Sequence, residues 1–259
     1  MPTIGQLIGD ERVTELVPPW RRRDDRGPEV LRPLEIVPGA VPYAEGSALI
    51  KQGDTHVLCA ATVEDNVPRW MQGKGRGWIT AEYAMLPRST KQRTPRATSA
   101  GKQDGRAVEI QRLIGRSLRA VADLEALGER QIIVDCDVLQ ADAGTRCAAI
   151  TGGYVALALA CRKLLADRKL KRNPLRNQVA AISVGLVRGL ELLDLDYAED
   201  AGADVDFNVV MTDANAFVEI QGTAEKTPFT PQTLDTLLAL ASTGLDLIFA
   251  AQRNALKLA

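Results

Sequence analysis

Histidine is almost missing from this chain, which holds one, His56, among 259 residues. A mechanism that relies on a histidine base or a histidine-rich metal centre has that single candidate. His56 lies in an alternating segment that reads as a strand, and an ordinary strand residue is the simpler account of it. Aromatic residues are also scarce, at 4%. The four cysteines, Cys59, Cys136, Cys147 and Cys161, stand far apart inside apolar runs. That pattern has neither zinc-ligand spacing nor the density of a disulfide scaffold, so they read as small buried hydrophobes. No run approaches the roughly eighteen uninterrupted apolar residues of a membrane span. The N-terminus lacks the basic start, apolar run and small-residue cleavage site of a signal peptide. A cytoplasmic location with no membrane partner is therefore the expectation.

An excess of charge of one sign is lacking too, since the formal net charge is −1. The charges are nonetheless segregated. Between Pro87 and Arg106 stand Arg88, Lys91, Arg93, Arg96, Lys102 and Arg106 against one acid, Asp104. Between Leu190 and Asp206 stand Glu191, Asp194, Asp196, Glu199, Asp200, Asp204 and Asp206 with no lysine or arginine. A cationic loop and an anionic edge suit a protein that holds a polyanion in one place and a divalent cation in another; a solvated loop and hairpin could show the same pattern.

What is abundant is apolar sequence, 46% of the chain, enough to bury a sizeable core. Residues 1 to 21 are polar with scattered apolar positions and read as an appendage, with one unit from 22 to 259. Alternation predicts strands at Leu34–Val37, Ser47–Lys51, His56–Val63 and Trp78–Leu86, with a Gly53-Asp54 turn. Apolar residues at helical spacing predict a helix over Ala107–Leu127, stopped by Gly128. A strand over Gln131–Gln140 and a helix from Thr145 to Ala166 follow. The second half predicts strands at Val179–Val187, Glu191–Tyr197, Val205–Thr212 and Phe217–Gln221, a hairpin at Arg188-Gly189, and a helix from Pro231 to about Leu256. Four strands and a long helix thus occur twice. The fold class is α+β, with two pseudo-equivalent halves of mixed sheet packed with helices.

Two constellations could carry chemistry. Gly144-Thr145-Arg146 lies between a predicted strand and a predicted helix, where free amides, the helix dipole, a hydroxyl and a guanidinium could hold a phosphate. An ordinary N-cap gives the same three residues. In the acidic segment, Asp200 would lie in a loop and Asp206 at the start of the next strand, so the two carboxylates could converge on Mg²⁺; an aspartate-rich turn is the plainer alternative. The run Gly73-Lys74-Gly75-Arg76-Gly77 lacks P-loop spacing and reads as a flexible basic connection.

Several long runs go further than these short signals. Those at 77–88, 101–106, 109–116 and 135–142 include Trp78-Ile79-Thr80-Ala81-Glu82-Tyr83 and Asp135-Cys136-Asp137-Val138-Leu139-Gln140. Together with Tyr43-Ala44-Glu45-Gly46-Ser47 and Glu219-Ile220-Gln221-Gly222-Thr223-Ala224-Glu225, they resemble the ribonuclease PH family. The resemblance runs from about Arg22 to Leu256, and it implies the ribonuclease PH fold, which is like domain 2 of ribosomal protein S5. It also implies a phosphorolytic 3′-to-5′ exoribonuclease, a tRNA nucleotidyltransferase that trims transfer-RNA precursors, processes ribosomal RNA and releases nucleoside diphosphates. On that resemblance Arg106, Gly144, Thr145 and Arg146 hold the attacking phosphate, Asp200 and Asp206 hold Mg²⁺, and Arg88, Arg93 and Arg96 guide the RNA 3′ end. Similarity to polynucleotide phosphorylase, with the same aspartate spacing, supports the metal pair. The implied assembly is a homohexamer, a trimer of dimers.

Phosphate is already an anionic nucleophile at neutral pH, so phosphorolysis needs a cationic cradle and a metal rather than a histidine. The rival readings are an inert RNA-binding ring subunit of the same fold, a hydrolytic two-metal nuclease, and a purely structural assembly protein. An inert subunit has no reason to keep Arg106, Thr145, Arg146, Asp200 and Asp206 together. In two places the chain departs from the family pattern: the 20-odd residues before Arg22 stand outside it, and Arg22-Arg23-Asp24-Asp25-Arg26 has Asp25 where the family has glycine, so aspartate is expected to accept a positive φ there.

Overall fold

The computed structural model describes residues 21–96 and 104–259. Nearly all of the expected appendage, and Lys102 of the basic loop, lie outside the described residues. Alternating residues make strands β1 (Leu34–Pro38), β2 (Gly46–Gln52), β3 (Thr55–Glu64) and β4 (Trp78–Met85), followed by helices α1 (Gly105–Ala120) and α2 (Leu124–Leu127), strand β5 (Gln131–Gln140) and helix α3 (Thr145–Ala166). The second half holds β6 (Val179–Val187), β7 (Leu190–Leu193), the short helix α4 (Tyr197–Gly202), β8 (Val205–Thr212), β9 (Phe217–Ala224) and α5 (Pro231–Leu258).

The first sheet runs β1-β2-β3-β5-β4 and is mixed, with β4 and β5 parallel. The second, β7-β6-β8-β9, is antiparallel throughout. The halves therefore correspond in outline only, because β5 adds a fifth strand to the first.

Helix α3 is the hub. It packs against β2, β3 and β6 and touches α5, and it is apolar nearly all round because it lies in the core. Glycine makes the closest approach possible, since a Cβ on Gly46 would stand 2.2 Å from the Ala156 carbonyl oxygen of α3. By length and composition α3 and α5 could each cross a membrane. Here α3 is core, and α5 packs Leu237, Ala241, Leu245, Ile248 and Phe249 against the second sheet.

Two elements differ from the sequence expectation. The helix expected over Ala107–Leu127 stops at Ala120. Residues 121–123 are drawn onto a neighbouring segment, where the Asp123 amide donates to the Pro174 carbonyl at 2.7 Å and the Arg176 amide to the Val121 carbonyl at 2.8 Å. Asp123 then caps α2 through the Ala126 amide. The strand expected over Glu191–Tyr197 ends at Leu193. Asp194 turns the chain at φ 56°, and Asp196 and Glu199 form a capping box that starts α4. The Arg188-Gly189 hairpin is present, with φ of 53° and 78°, as a tight two-residue turn requires.

Candidate active site

The start of α3 has no side-chain cap. Ala143 and Gly144 both adopt positive φ, 59° and 64°, which swings the chain from β5 into the helix. Gly144 is the N-cap and brings no side chain to the first-turn amides, whereas Asp104, Asp123, Asp196 and Thr230 cap the other α-helices. The Thr145 hydroxyl lies 2.8 Å from the Tyr83 hydroxyl of β4. Arg146 is held by its donation to Gln221 Oε1 at 2.6 Å and by Glu109 at 3.4 Å.

Arg106 lies at the second position of α1, exposed, and makes no ion pair among the described residues. In the fold it is near enough to Tyr83, the partner of Thr145, to act on that hydroxyl along with Arg146. Tyr83 is raised by burial and lowered in turn by its Thr145 hydrogen bond, Arg106 and Arg146. The same two arginines act on Asp200, which burial raises.

The acidic segment is not a solvated edge. Asp194, Asp196 and Glu199 are buried and are bound by arginines of segment 22–32. Arg22 grips Glu199 with two bonds of 2.7 Å and donates to the Asp194 carbonyl at 2.9 Å. Arg32 donates to Asp194 Oδ1 at 2.6 Å and also to the Asp142 carbonyl of the loop that precedes α3. Arg23 meets Asp142 at 3.0 Å and Asp196 at 3.4 Å. Asp142 in turn accepts from the Tyr197 amide at 3.2 Å, the first residue of α4. The loop at 141–144 and helix α4 are thus fixed to one another. Asp204 pairs with Lys226 at 2.9 Å. Asp25 takes φ 57°, the positive value expected where the family has glycine.

Asp200 and Asp206 have no cation within 4.0 Å among the described residues. Asp200 is in α4, not in a loop as the sequence predicted, because the capping box extends helix through it. Asp206 is the second residue of β8, as expected, between Gly185 of β6 and Thr223 of β9. Its Oδ1 is buried with no hydrogen-bond partner. Burial, then Asp200 and Glu225, push its carboxyl up to about 6, against the pull of Arg146. Among the described residues no group of three or more metal-binding His, Cys, Asp or Glu side chains occurs, so a cation here would be held by two carboxylates, with the rest of its shell open.

Arg88, Arg93 and Arg96 are exposed and make no hydrogen bonds among the described residues. The root of their loop is tied to the segment that precedes α3, since the Ala141 amide donates to the Ser89 carbonyl at 2.9 Å. The cysteines are buried and unpaired. Burial holds the Cys147 thiol far above its ordinary range, so it is no nucleophile. Sequence reading missed Tyr83, Gln221, Asp142 and the arginine clamp. Only α4 carried a usable local signal, the Asp196-x-x-Glu199 capping box.

The chain is similar to known proteins over most of its length. The model of domain 1 of the 3′ exoribonuclease family matches residues 30–163, and that of domain 2 matches residues 177–244. A protein of Neisseria meningitidis serogroup C named ribonuclease PH is 55% identical over 237 residues, 92% of this chain and 98% of that protein; its serogroup B counterpart is equally similar. Among solved structures, rice Rrp46 matches with a TM-score of 0.75 at 20% identity, covering 91% of this chain and all of that one. A chain of the Archaeoglobus fulgidus exosome with RNA bound to the active site matches with a TM-score of 0.73 at 23% identity, covering 92% of this chain and 93% of that one. These two likenesses speak to the fold alone.

Proposed function

The chain belongs to the ribonuclease PH family, phosphorolytic 3′-to-5′ exoribonucleases that process transfer RNA, and we propose that the two clusters described above divide its chemistry. Inorganic phosphate attacks the terminal phosphodiester. A bond forms from its oxygen to phosphorus, the bond to the 3′ oxygen of the preceding nucleotide breaks, and a nucleoside diphosphate leaves. Arg106 and Arg146 hold the attacking anion, aided by the uncapped amides and the Thr145 hydroxyl at the start of α3. Tyr83 fixes that hydroxyl and Gln221 fixes Arg146. Phosphate is a nucleophile without a base, so the lone His56 on β3 need take no part.

The residues fit Mg²⁺. Two carboxylates with an unsatisfied buried oxygen and no cation beside them supply hard ligands, and the open remainder of the shell suits an ion that keeps waters and phosphate oxygens. Asp200 and Asp206 would hold it, and when bound it would neutralise charge on the scissile phosphate and the departing oxygen. Arg88, Arg93 and Arg96 guide the RNA, transfer-RNA precursors and ribosomal RNA alike. The working form is a homohexamer in the cytoplasm, whose reducing conditions suit four unpaired thiols.

The observation that supports this reading is the uncapped start of α3, where Thr145 lies 2.8 Å from Tyr83 and Arg146 is held by Gln221 at 2.6 Å, with Arg106 and Arg146 both acting on Tyr83 and Asp200. The test is turnover of a short RNA at varied phosphate concentration. Arg106→Ala and Arg146→Ala should each raise the KM for phosphate at least about tenfold, the loss expected for one charge-assisted contact. Unchanged phosphate dependence in both variants would place the cradle elsewhere.

A further inference from the structure

Between β4 and one face of α1 lies a groove of about 420 Å³ lined by Trp78, Thr80, Gln111, Arg112, Arg116 and Arg119. The spacing of four and three residues puts the arginines on one helix face. Their charge is poorly matched. Arg116 has a carboxylate, Glu219, at 2.5 Å. Among the described residues Arg112 is exposed and makes no ion pair, and Arg119, only partly exposed, makes none either. Arg119 lies over the Trp78 ring at 4.3 Å and donates to the Ile79 carbonyl at 2.7 Å. Burial, and after it Arg116, disfavour its charged form, which an anion in the groove would relieve.

A stacking surface adjoins the groove, outside its lining. Trp78 meets Trp70 edge to face at 4.8 Å, and Trp70 is 56% exposed with the Lys74 ammonium 5.7 Å from its ring. Guanidinium groups beside an open indole match the alternating phosphates and bases of single-stranded nucleic acid better than they match a free anion or an acidic peptide. A continuous chain of bonds joins the groove to the anion cradle: Arg116 to Glu219 at 2.5 Å, Glu219 to Gln221 at 2.9 Å, and Gln221 to Arg146 at 2.6 Å. Along α1, Arg106 and Arg119 are separated by about 20 Å of helix axis.

We propose that the β4–α1 groove is a second RNA-contact site, which holds the strand upstream of the 3′ end while the terminal phosphodiester lies at the cradle. This rests on the family reading of that cradle. The test uses the full chain and two labelled RNAs, of about four and about fifteen nucleotides, within the range of single-strand site sizes. Binding is read by fluorescence anisotropy without phosphate, so that the groove is judged independently of turnover. Arg112→Glu, at an exposed side chain without a partner, and Trp70→Ala should each weaken binding of the long RNA about tenfold and leave the short RNA unchanged. Arg112→Ala should lower the salt dependence of long-RNA binding by about one unit of slope. Equal effects on both lengths, or none on the long RNA, would overturn the proposal. So would a change in particle mass by light scattering in Arg112→Glu, which would make the groove a contact between copies. Failure of the family reading shows separately, as wild-type protein that releases no diphosphate.

Discussion

Burial and the Asp200 carboxylate push Asp206 up to about 6, while an aspartate in an unfolded chain ionises near about 3.9. Protonation therefore favours the fold. This contribution is complete below the unfolded value and is lost as pH rises through about 6, on the order of 1–3 kcal/mol in the metal-free protein. Asp206→Asn should be as stable as wild type or more so at about pH 8, and should lose the acid-side gain. It should also lose diphosphate release by about a hundredfold or more, in keeping with the loss of one electrostatic catalytic group. Mg²⁺ should raise the melting temperature of wild type at pH 8 and not that of the variant; thermal unfolding at about pH 5 and 8, with and without the metal, reads both effects. A variant that keeps its Mg²⁺ response would remove Asp206 from the metal site. At this scale the sequence was informative where chemistry is local: Gly144-Thr145-Arg146 is one stretch, and Asp200 and Asp206 are six positions apart. It was silent on Tyr83 and on the Arg22–Glu199 pair, which join residues 62 and 177 positions apart.

Elements hold these residues in place through two devices, close approach and a buried ion-pair clamp. Gly46→Ala would drive a Cβ to 2.2 Å from the Ala156 carbonyl oxygen, so β2 must part from α3, at a cost of several kcal/mol that chemical denaturation would measure, about 3 or more. Near-wild-type stability would mean that the approach is looser than it looks. Segment 22–32 clamps α4 and the 141–144 loop. Arg22→Ala takes from buried Glu199 its two-bond partner and leaves it Arg26 alone, at 3.8 Å, so the expected loss lies at the lower end of about 3–5 kcal/mol. Arg22→Ala with Glu199→Gln should recover part of that loss, which no simple packing defect would do. Strand and helix positions were legible from alternation and helical spacing, Gln131–Gln140 and Val179–Val187 to the residue. The misread elements, the broken end of α1 and the start of α4, are those where carboxylates at Asp123 and Asp196 cap a new helix against the local pattern.

The whole molecule is two unequal sheets about one buried helix, and the proposed anion cradle draws on the first half and the proposed metal-binding carboxylates on the second. Arg106, Thr145 and Arg146 belong to the part matched by the domain 1 model, and Asp200 and Asp206 to the part matched by the domain 2 model. That division was only outlined by the repeated strand and helix pattern, because the packing of the halves depends on contacts that no local period encodes. Assembly belongs to this scale as well. The proposed homohexamer should appear in light scattering as six copies of the 28.0 kDa chain, and a particle of one copy would contradict it. The central claim is phosphorolysis, and it is tested most directly by incubating the full chain with a 3′-extended transfer RNA and Mg²⁺, with and without inorganic phosphate, and identifying the nucleotide released. The account predicts nucleoside diphosphates that appear only when phosphate is present; monophosphates released without phosphate would contradict it.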